Sequence, residues 1–416
     1  MKQLAAVVVL LFVAGCAAAY LVVRHRDEEN HRGSSIEYNP TATAPVPPAP
    51  TRKESIVWPA FGYDTERLHV APRVRLRPPF RRVWTAGDAS LIEFPPAIGY
   101  GRLYAADGAG RVFAVSTKTG RRAWTYATNR CQAASPALDG ISHGTLYAVF
   151  LNHRPCTKKR ASDGEVIALS VGTGAVRWRK HIGASETSPI VVGRRLYVGD
   201  WLGNVYALDA RTGKTLWRRR VGGAVKGGVA VSGNRLYVGA YDGHVYAFDA
   251  LTGRRLWRGS ADPRFFGSSQ FYSTPAAAYG RVYIGSTDGK VYSFGATTGK
   301  RRWSHSTGGY VYGSPAVWNG LVLVGSYSHR FYAFDAETGD VRWSFEANGP
   351  ISGSATVVDG VVYFATLTKN GRTYALNARD GKPLWSFRDG RYTPVVVDRT
   401  HLYVVGYAKL YAFAPR

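Results

Sequence analysis

A unit of about 40 residues recurs along most of this chain, and this repeat constrains the fold more than any other feature. Two successive units run from Leu196 to Trp217 and from Leu236 to Trp257 and match closely. Consecutive copies of the Trp are 40, 54, 39, 40, 46, 40 and 42 residues apart. The eight positions are Trp84, Trp124, Trp178, Trp217, Trp257, Trp303, Trp343 and Trp385. Such a period predicts many copies of one supersecondary unit, packed side by side.

Each unit contains four short apolar segments separated by Gly, Asp or Asn, which is the spacing of strands rather than of helices. Thr-Gly pairs such as Thr212-Gly213 mark the tight turn before the fourth strand, where Gly supplies a positive φ. Four-stranded units repeated many times are typical of a β-propeller.

The two ends of the repeat complete each other. The first strand, around Arg82 to Trp84, lacks the three strands that should precede it, and the last unit stops after Phe413 without a fourth strand. Pairing these two fragments closes the ring and removes an exposed edge. We therefore predict an all-β protein, an eight-bladed β-propeller of four-stranded blades over residues 82–416, with an N-terminal transmembrane helix.

The run from Ala207 to Gly213, followed by Trp217, resembles the A-x-D-x-x-T-G-x-x-x-W signature of the pyrroloquinoline-quinone-like (PQQ-like) repeat family. The resemblance extends from about Trp84 to the C-terminus and is carried by seven instances of the repeat. In this family the Trp docks one blade on the next. The resemblance implies this structural role for the eight Trp given above.

Two kinds of protein share this repeat. Quinoprotein dehydrogenases carry long insertions, a calcium site and often a vicinal Cys pair, whereas the outer-membrane assembly lipoprotein of the BamB type has eight blades and no cofactor. This sequence has no adjacent cysteines and no Cys-x-x-Cys-His motif, and it is similar to the BamB type in size and anchoring. We expect no cofactor, PQQ included, and we predict no catalytic, cofactor-binding or metal-binding residues.

An uncharged apolar run from Leu4 to Val23 is long enough to span a bilayer. We interpret residues 1–26 as a signal anchor that crosses the cytoplasmic membrane once and leaves the propeller outside the cytoplasm. Val13-Ala14-Gly15-Cys16 resembles a lipobox, so a lipoprotein lipidated at Cys16 is one alternative and a cleaved signal peptide is another. The flanking charges do not fix the orientation. Residues 27–57 are expected to form a Pro-rich disordered stalk and residues 58–81 a lead-in segment.

The formal net charge of +26 indicates either a solvated, Arg-biased surface or attraction to an anionic partner. An envelope protein or an anionic polymer fits better than nucleic acid, because the Arg residues are scattered through every repeat and no recognition motif accompanies them. We expect a membrane-anchored, monomeric propeller.

Two departures from the 40-residue period fall on one face, which is formed by the second-to-third turns and the connections between blades. One is an insertion from Leu151 to Asp163, and the other lies between Gly259 and Ser273. Cys131 begins the connection into the blade that contains Cys156, so we expect a disulfide between them, with two free thiols as the alternative. The predicted partner-binding residues are the basic and aromatic side chains of the two loops: Arg154, Lys158, Lys159, Arg160, Arg264, Phe265, Phe266, Phe271 and Tyr272.

These features together predict a membrane-tethered extracytoplasmic scaffold for protein interaction or envelope assembly, without catalytic activity. One alternative is a PQQ-dependent, dehydrogenase-like oxidoreductase. Another is a glycan or ligand sensor that uses the central channel, where small pairs such as Ser188-Pro189 and Ser314-Pro315 recur.

Overall fold

The computed structural model describes residues 13, 29–41, 56–88, 90–139, 144–157, 161–263 and 269–416. The predicted membrane span lies outside these residues except for Val13, and so does Cys16. Over the part of the chain that is described, no helix is long and apolar enough to cross a membrane.

Three strands precede the first complete blade: β1 (Ile56–Trp58), β2 (Val70–Ala71) and β3 (Phe80–Gly87). Blade 1 then contains β4 (Ala97–Gly99), β5 (Arg102–Ala106), β6 (Arg111–Ser116) and β7 (Arg122–Ala127), and blade 2 contains β8 (Ala137–Asp139), β9 (Thr145–Phe150), β10 (Gly164–Ser170) and β11 (Val176–Ile182). Blade 3 contains β12 (Ile190–Val192), β13 (Arg195–Gly199), β14 (Asn204–Asp209) and β15 (Thr215–Arg220), and blade 4 contains β16 (Ala230–Ser232), β17 (Arg235–Gly239), β18 (His244–Asp249) and β19 (Arg255–Ser260).

The second half of the ring has the same plan. Blade 5 contains β20 (Ala276–Ala278), β21 (Arg281–Gly285), β22 (Lys290–Gly295) and β23 (Arg301–Ser306), and blade 6 contains β24 (Ala316–Trp318), β25 (Leu321–Gly325), β26 (Arg330–Asp335) and β27 (Val341–Glu346). Blade 7 contains β28 (Thr356–Val358), β29 (Val361–Ala365), β30 (Thr373–Asn377) and β31 (Pro383–Phe387), and blade 8 contains β32 (Val396–Val397), β33 (Leu402–Val405), β34 (Lys409–Pro415) and the N-terminal β3.

The predicted closure of the ring is confirmed. β3 pairs antiparallel with β34, and Trp84 lies opposite Ala412. Eight sheets form the ring, six with four strands and two extended to five by β1 and β2, so the predicted all-β, eight-bladed architecture is confirmed. Strand β3 begins at Phe80, two residues before the predicted start of the propeller.

A Trp and a Gly join consecutive blades. The indole N–H of Trp217 donates to the carbonyl of Ala250 in the next blade at 3.0 Å, and its ring lies 2.7 Å from where a Cβ on Gly253 would stand. Gly253 also has a φ of 71°, which strains any other residue. The same two contacts recur at seven junctions, between these pairs: Trp84 and Gly120, Trp124 and Gly174, Trp178 and Gly213, Trp217 and Gly253, Trp257 and Gly299, Trp303 and Gly339, Trp343 and Gly381.

Trp385 makes a different junction. Its ring packs on Phe80 at 5.5 Å and on Phe413 at 5.4 Å, centroid to centroid. Blade 8 has no Thr-Gly hairpin for this Trp to meet, because its two outer strands come from opposite ends of the chain. Aromatic packing replaces the Trp-Gly contact at this position.

The ring has two faces. We call the side with the first-to-second and third-to-fourth turns the hairpin face, and the opposite side, with the second-to-third turns and the connections between blades, the insertion face. Residues 151–163 join β9 to β10, and residues 261–275 join β19 to β20, so both longer loops lie on the insertion face.

Residues 56–76, which we call the axial segment, fill the hairpin end of the central channel. β1 pairs with the innermost strand of blade 1 and β2 with that of blade 7. The segment enters and leaves by the hairpin face, because Ile56 lies opposite Gly99 and Arg77 donates to Asp359 at the first-to-second turn of blade 7. In between, its carbonyls accept N–H groups from other innermost strands: Pro59 from Leu138, Thr65 from Val231, Glu66 from Ala277, Leu68 from Val317 and His69 from Val357. The predicted lead-in is thus an internal part of the ring.

Residues 29–41 were predicted to belong to a disordered stalk, but they are ordered against the propeller. These residues pack against the outside of blades 5 and 6. His31 forms an antiparallel bridge with Ser304 on the outer strand of blade 5, and the Glu37 carboxylate binds the Arg302 guanidinium. Arg281 donates to backbone carbonyls of this segment, including that of Ser34 at 2.6 Å. A region rich in Ser, Thr and Pro was expected to stay extended, but its polar groups find backbone partners on the blades.

Substitution of Gly253 by Ala tests the Trp-Gly contact. Gly233→Ala is the matched control, because Gly233 also has a positive φ but has open space at its Cβ position. We expect Gly253→Ala to lower the free energy of unfolding by about 1–3 kcal/mol more than Gly233→Ala, because only the former displaces an indole ring. Equilibrium urea unfolding measures both values. Equal losses would show that backbone strain, not docking, accounts for the effect.

Asp64 in the axial segment gives a pH-dependent prediction. Its carboxylate accepts the Leu68 N–H at 2.8 Å, and burial raises its pKa from 3.8 to about 7. Because the folded state favours the protonated acid, this contribution to stability is complete below the ordinary pKa and is lost as the pH rises through 7. Asp64→Asn keeps the amide-oxygen acceptor without the charge. We expect its melting temperature, relative to the unchanged protein, to be higher at pH 8 than at pH 5; the same difference at both values would contradict this.

Candidate functional site

A pocket of about 320 Å³ lies on the ring axis and opens on the insertion face. Phe61 of the axial segment forms part of its floor, and residues just before the innermost strands form its walls. We call this site the axial pocket. Its lining residues are Phe61, Glu93, Phe94, Pro95, Glu186, Ser188, Lys226, Gly227, Gly228, Tyr241, Tyr272, Thr274, Tyr312, Ser314, Tyr327, Ser352, Gly353, Ser354, Tyr392, Thr393 and Pro394.

Hydroxyl groups link neighbouring blades around this pocket. The N–H of Thr274 donates to the Ser314 hydroxyl at 2.9 Å, and the N–H of Ser314 donates to the Ser354 hydroxyl at 2.8 Å. Gly228 and Thr274 form the same contact at 2.8 Å. The small residues of the channel therefore tie blades together, besides fitting the crowded axis. Each hydroxyl accepts one backbone proton and keeps its own proton to donate.

Aromatic rings form an arc over blades 3 to 6. The Tyr272 and Tyr312 rings meet edge to face at 5.3 Å, and Tyr312 and Tyr327 do so at 5.1 Å. Tyr241 extends the arc, 6.3 Å from Tyr272. All four Tyr residues line the pocket, so the arc gives a ligand an aromatic wall to contact.

Lys226 and Glu186 form the charged part of this wall. The Lys226 ammonium lies 2.7 Å from a Glu186 oxygen, and it also lies 4.5 Å from the Trp201 ring centroid and 5.1 Å from that of Tyr241. Tyr272 donates to the other Glu186 oxygen at 3.1 Å. Burial together with the nearby Glu186 charge raises the pKa of Tyr272 well above its ordinary value, so this phenol stays a donor.

Glu93 is the second carboxylate of the pocket. It follows Ile92, a buried residue whose N–H donates to the Tyr407 carbonyl and fixes the loop before β4. Among the described residues, the Glu93 carboxylate has no hydrogen-bond or ion-pair partner. Desolvation by the surrounding protein raises its pKa and the Glu186 charge adds to this shift, although the residue is solvent-exposed.

Arg67 stabilises the floor of the axial pocket by binding backbone carbonyls around it. Its side chain is fully buried and donates to the Val229 carbonyl at 2.8 Å, the Ser188 carbonyl at 2.9 Å and the Phe61 carbonyl. Burial lowers its pKa to about 9, which leaves it charged at neutral pH. One cation thus satisfies carbonyls from blades 3 and 4 and from the axial segment itself.

The predicted partner-binding residues are divided by the structure. Arg154 is exposed on the insertion face. Phe271 is fully buried in the core between blades 4 and 5, against Phe294, and so does not belong to an exposed face. Tyr272 lines the axial pocket. Six of the predicted residues lie outside the described part of the chain: Lys158, Lys159, Arg160, Arg264, Phe265 and Phe266.

Cys131 and Cys156 form a disulfide with their Cα atoms 6.1 Å apart. It joins the connection before β8 to the insertion between β9 and β10. The backbone of the two segments also pairs, because Leu151 donates to the Cys131 carbonyl and Cys131 donates to the Asn152 carbonyl.

Sequence reasoning missed the axial pocket. The small residues of the innermost strands suggested the central channel as an alternative ligand site. The sequence carries no signal for Glu93, Glu186 and Lys226, because they lie in irregular connections without a repeat pattern. One signal was available in the second-to-third turns. Trp201, Tyr241 and Tyr327 occupy equivalent positions there, whereas the same position in blade 5 is Thr287.

Segments of the chain are similar in sequence to several known proteins, among them a kinase, a quinoprotein dehydrogenase and BamB. The serine/threonine-protein kinase AfsK of Streptomyces griseus is 31% identical over 137 residues, which are 31% of this chain and 16% of the kinase. The quinoprotein ethanol dehydrogenase of Pseudomonas putida is 29% identical over 143 residues, 30% of this chain and 22% of the dehydrogenase. The outer membrane protein assembly factor BamB of Bordetella pertussis is 31% identical over 164 residues, 38% of each chain. The matched segments therefore span well under half the length of each relative.

Two solved structures show the shared fold. BamB from Moraxella catarrhalis has a TM-score of 0.65 and 19% identity, covering 81% of this chain and 100% of that one. Quinohemoprotein alcohol dehydrogenase from Comamonas testosteroni has a TM-score of 0.72 and 16% identity, covering 86% and 80%. At these identities the likeness concerns the propeller alone.

The axial pocket is a poor match for pyrroloquinoline quinone, which is a polycarboxylate. With both carboxyls ionised, Glu93 and Glu186 outweigh Lys226 and give the lining one net negative charge. The Lys226 ammonium is already paired with Glu186. In the described residues, no group of three or more His, Cys, Asp or Glu side chains is placed to hold a metal ion. The residues present do not fit this cofactor.

The family model described as outer membrane protein assembly factor BamB matches residues 79–188, 162–310 and 308–415. These matches include every blade of the ring and more than half of the sequence. The chain therefore belongs to the family described as outer membrane protein assembly factor BamB.

Proposed function

We propose that this protein is a membrane-tethered, extracytoplasmic scaffold that takes part in envelope assembly by binding a protein partner on its insertion face, without catalysing a reaction. Its family supports this role, since the related proteins are described as outer membrane protein assembly factors. The axial pocket supports the absence of quinone chemistry, because its charge opposes an anionic cofactor.

The clamped insertion at residues 151–163 is the observation that carries the proposal. The disulfide, the backbone pairing and a bridge between Arg130 and His153 hold the first part of this loop, and Arg130 donates to the Asp163 carbonyl at its far end at 2.8 Å. A loop with a fixed base loses less conformational entropy when it binds, so a rigid presentation favours recognition.

A buried charge network supports the base of the insertion. Arg130 is 4% exposed, and its guanidinium lies 3.0 Å from an Asp163 oxygen and 3.5 Å from a Glu165 oxygen. Asp163 also accepts from His153, and these contacts lower its pKa to about 2 although burial acts in the opposite direction. The acids of this region are therefore satisfied by Arg130 and His153 within the protein.

The chemistry of the insertion face fits an acidic protein partner. Lys158, Lys159 and Arg160 are consecutive in the sequence of the loop tip, and Arg154 is exposed beside them in the chain. Tyr310 and Tyr407, on loops of the same face, are each about half exposed. Basic side chains near exposed aromatic rings are typical of protein-binding surfaces.

The tether would hold the insertion face close to the membrane. The chain reaches the propeller at the insertion end of blade 5, where the Lys290 ammonium donates to the Glu29 carbonyl at 2.9 Å. Only five residues separate Val23, the end of the apolar run, from Glu29. Such a link extends about 20 Å at most. The proposed partner is therefore an envelope protein at or near the membrane surface.

Charge reversal at the loop tip tests the docking surface. The full chain with Lys158, Lys159 and Arg160 changed to Glu is expected to recover its envelope partners at least about tenfold less well in pull-downs from membrane extract, because a charge that attracts a partner then repels it. Arg218, Arg220 and Arg258 changed to Glu form the control, with the same change in net charge on the outer strands. Equal loss in both variants would point to net charge alone, and unchanged recovery of every partner would remove the insertion from the proposal. Dye-linked alcohol oxidation after addition of PQQ and calcium would contradict the non-catalytic role.

A further inference from the structure

We propose that the axial pocket is a binding site for a small organic cation of the alkylammonium class. This site is separate from the docking surface at the insertion tip, and the proposal does not depend on the scaffold function.

The charge of the pocket differs from that of the chain as a whole. The protein has a formal net charge of +26, yet the pocket lining carries two carboxylates and one ammonium. Basic residues are concentrated instead on outer strands. β11, β15 and β19 together carry eight Arg or Lys and no acid. The basic outer strands therefore repel a cation, whereas the two carboxylates of the pocket attract it.

Lys226 shows that the pocket wall stabilises an ammonium group. Its nitrogen is held by the Glu186 carboxylate and lies within 6 Å of three ring centroids, those of Trp201, Tyr241 and Tyr272. These distances fall within the range of cation–π attraction. Glu186 and the three rings therefore form a cage that binds an ammonium group, and the Lys226 side chain occupies it.

Glu93 offers a second carboxylate without a partner among the described residues. It lines the same cavity as the Tyr312, Tyr327 and Tyr392 rings. Desolvation and the Glu186 charge raise its pKa, and a bound cation would offset the effect of that charge. The cavity of about 320 Å³ leaves room beside Lys226 for a small ligand.

The hydroxyl groups of the pocket favour a ligand with a polar arm. Ser314 and Ser354 accept backbone N–H groups and keep their own protons to donate. A hydroxylated alkylammonium such as choline combines the charge for the rings and Glu93 with an oxygen that can accept these protons. Choline is therefore a suitable probe for ligands of the alkylammonium class.

Titration calorimetry of the full chain with choline and with its neutral isostere, 3,3-dimethylbutan-1-ol, tests the site. We expect choline to bind and the isostere to bind at least tenfold more weakly, because the two have the same shape and differ in charge. Glu93→Gln is expected to weaken choline binding about tenfold. Glu346→Gln, a change of the same kind on the exposed outer strand of blade 6, should leave it unchanged. Equal binding of the isostere, or no binding of choline, would overturn the proposal.

Lys226 provides a second and independent readout. Lys226→Met removes the tethered ammonium but keeps an unbranched side chain, and we expect choline to bind more tightly to this variant, because the cage and Glu186 become available. Lys226→Arg keeps a cation in the cage and should show no such gain in affinity. Urea unfolding of both variants confirms that they fold. A folded Lys226→Met protein with unchanged or weaker affinity would show that the cage does not take a free ammonium.

Discussion

The contact between a Trp of one blade and a Gly of the next hairpin sets the geometry of the whole ring. The indole N–H is satisfied by a carbonyl of the neighbouring blade, and the ring occupies the space that a Cβ would need, as Trp217 and Gly253 show. Each junction therefore fixes the distance and the angle between two sheets. Repeating one junction around a circle leaves a channel at the axis, whose innermost strands still have N–H groups to satisfy. The axial segment meets that need with its own carbonyls, and the buried Arg67 binds the carbonyls on the other side.

The parts of the fold that could be predicted are those that each repeat specifies locally. Strand spacing, the Thr-Gly turn and the Trp recur in nearly every unit, so the blade number and the closure by β3 follow from the sequence. The axial segment could not be predicted in this way. It lies outside the repeat, and its contacts are mostly backbone carbonyls that leave no sequence pattern. Residues 29–41 illustrate the same limit, since a composition that suggests a stalk says nothing about backbone partners on blades 5 and 6.

The candidate site could be predicted only in part, because the sequence located its loops but not the directions of their side chains. The insertion and its disulfide could be located because they interrupt a regular period, and the face followed from the strand order. Phe271 and Tyr272 are neighbours in an irregular connection, where no alternation assigns a direction. Phe271 turns into the core beside Gly239, and Tyr272 turns to the axis to meet Glu186. Only packing decides between these two directions.

Access to the axis connects the two surfaces of the molecule. The axial segment fills the channel from the hairpin face, so the axial pocket opens on the insertion face, the side that also carries the clamped loop. A small ligand and a large partner therefore approach from the same direction. A partner whose footprint extends from the insertion across the ring must either close over a bound cation or exclude it. If the partner makes favourable contact with the bound cation, each strengthens the binding of the other; if the cation is expelled, they compete, and in either case linkage requires that each change the affinity of the other by the same factor.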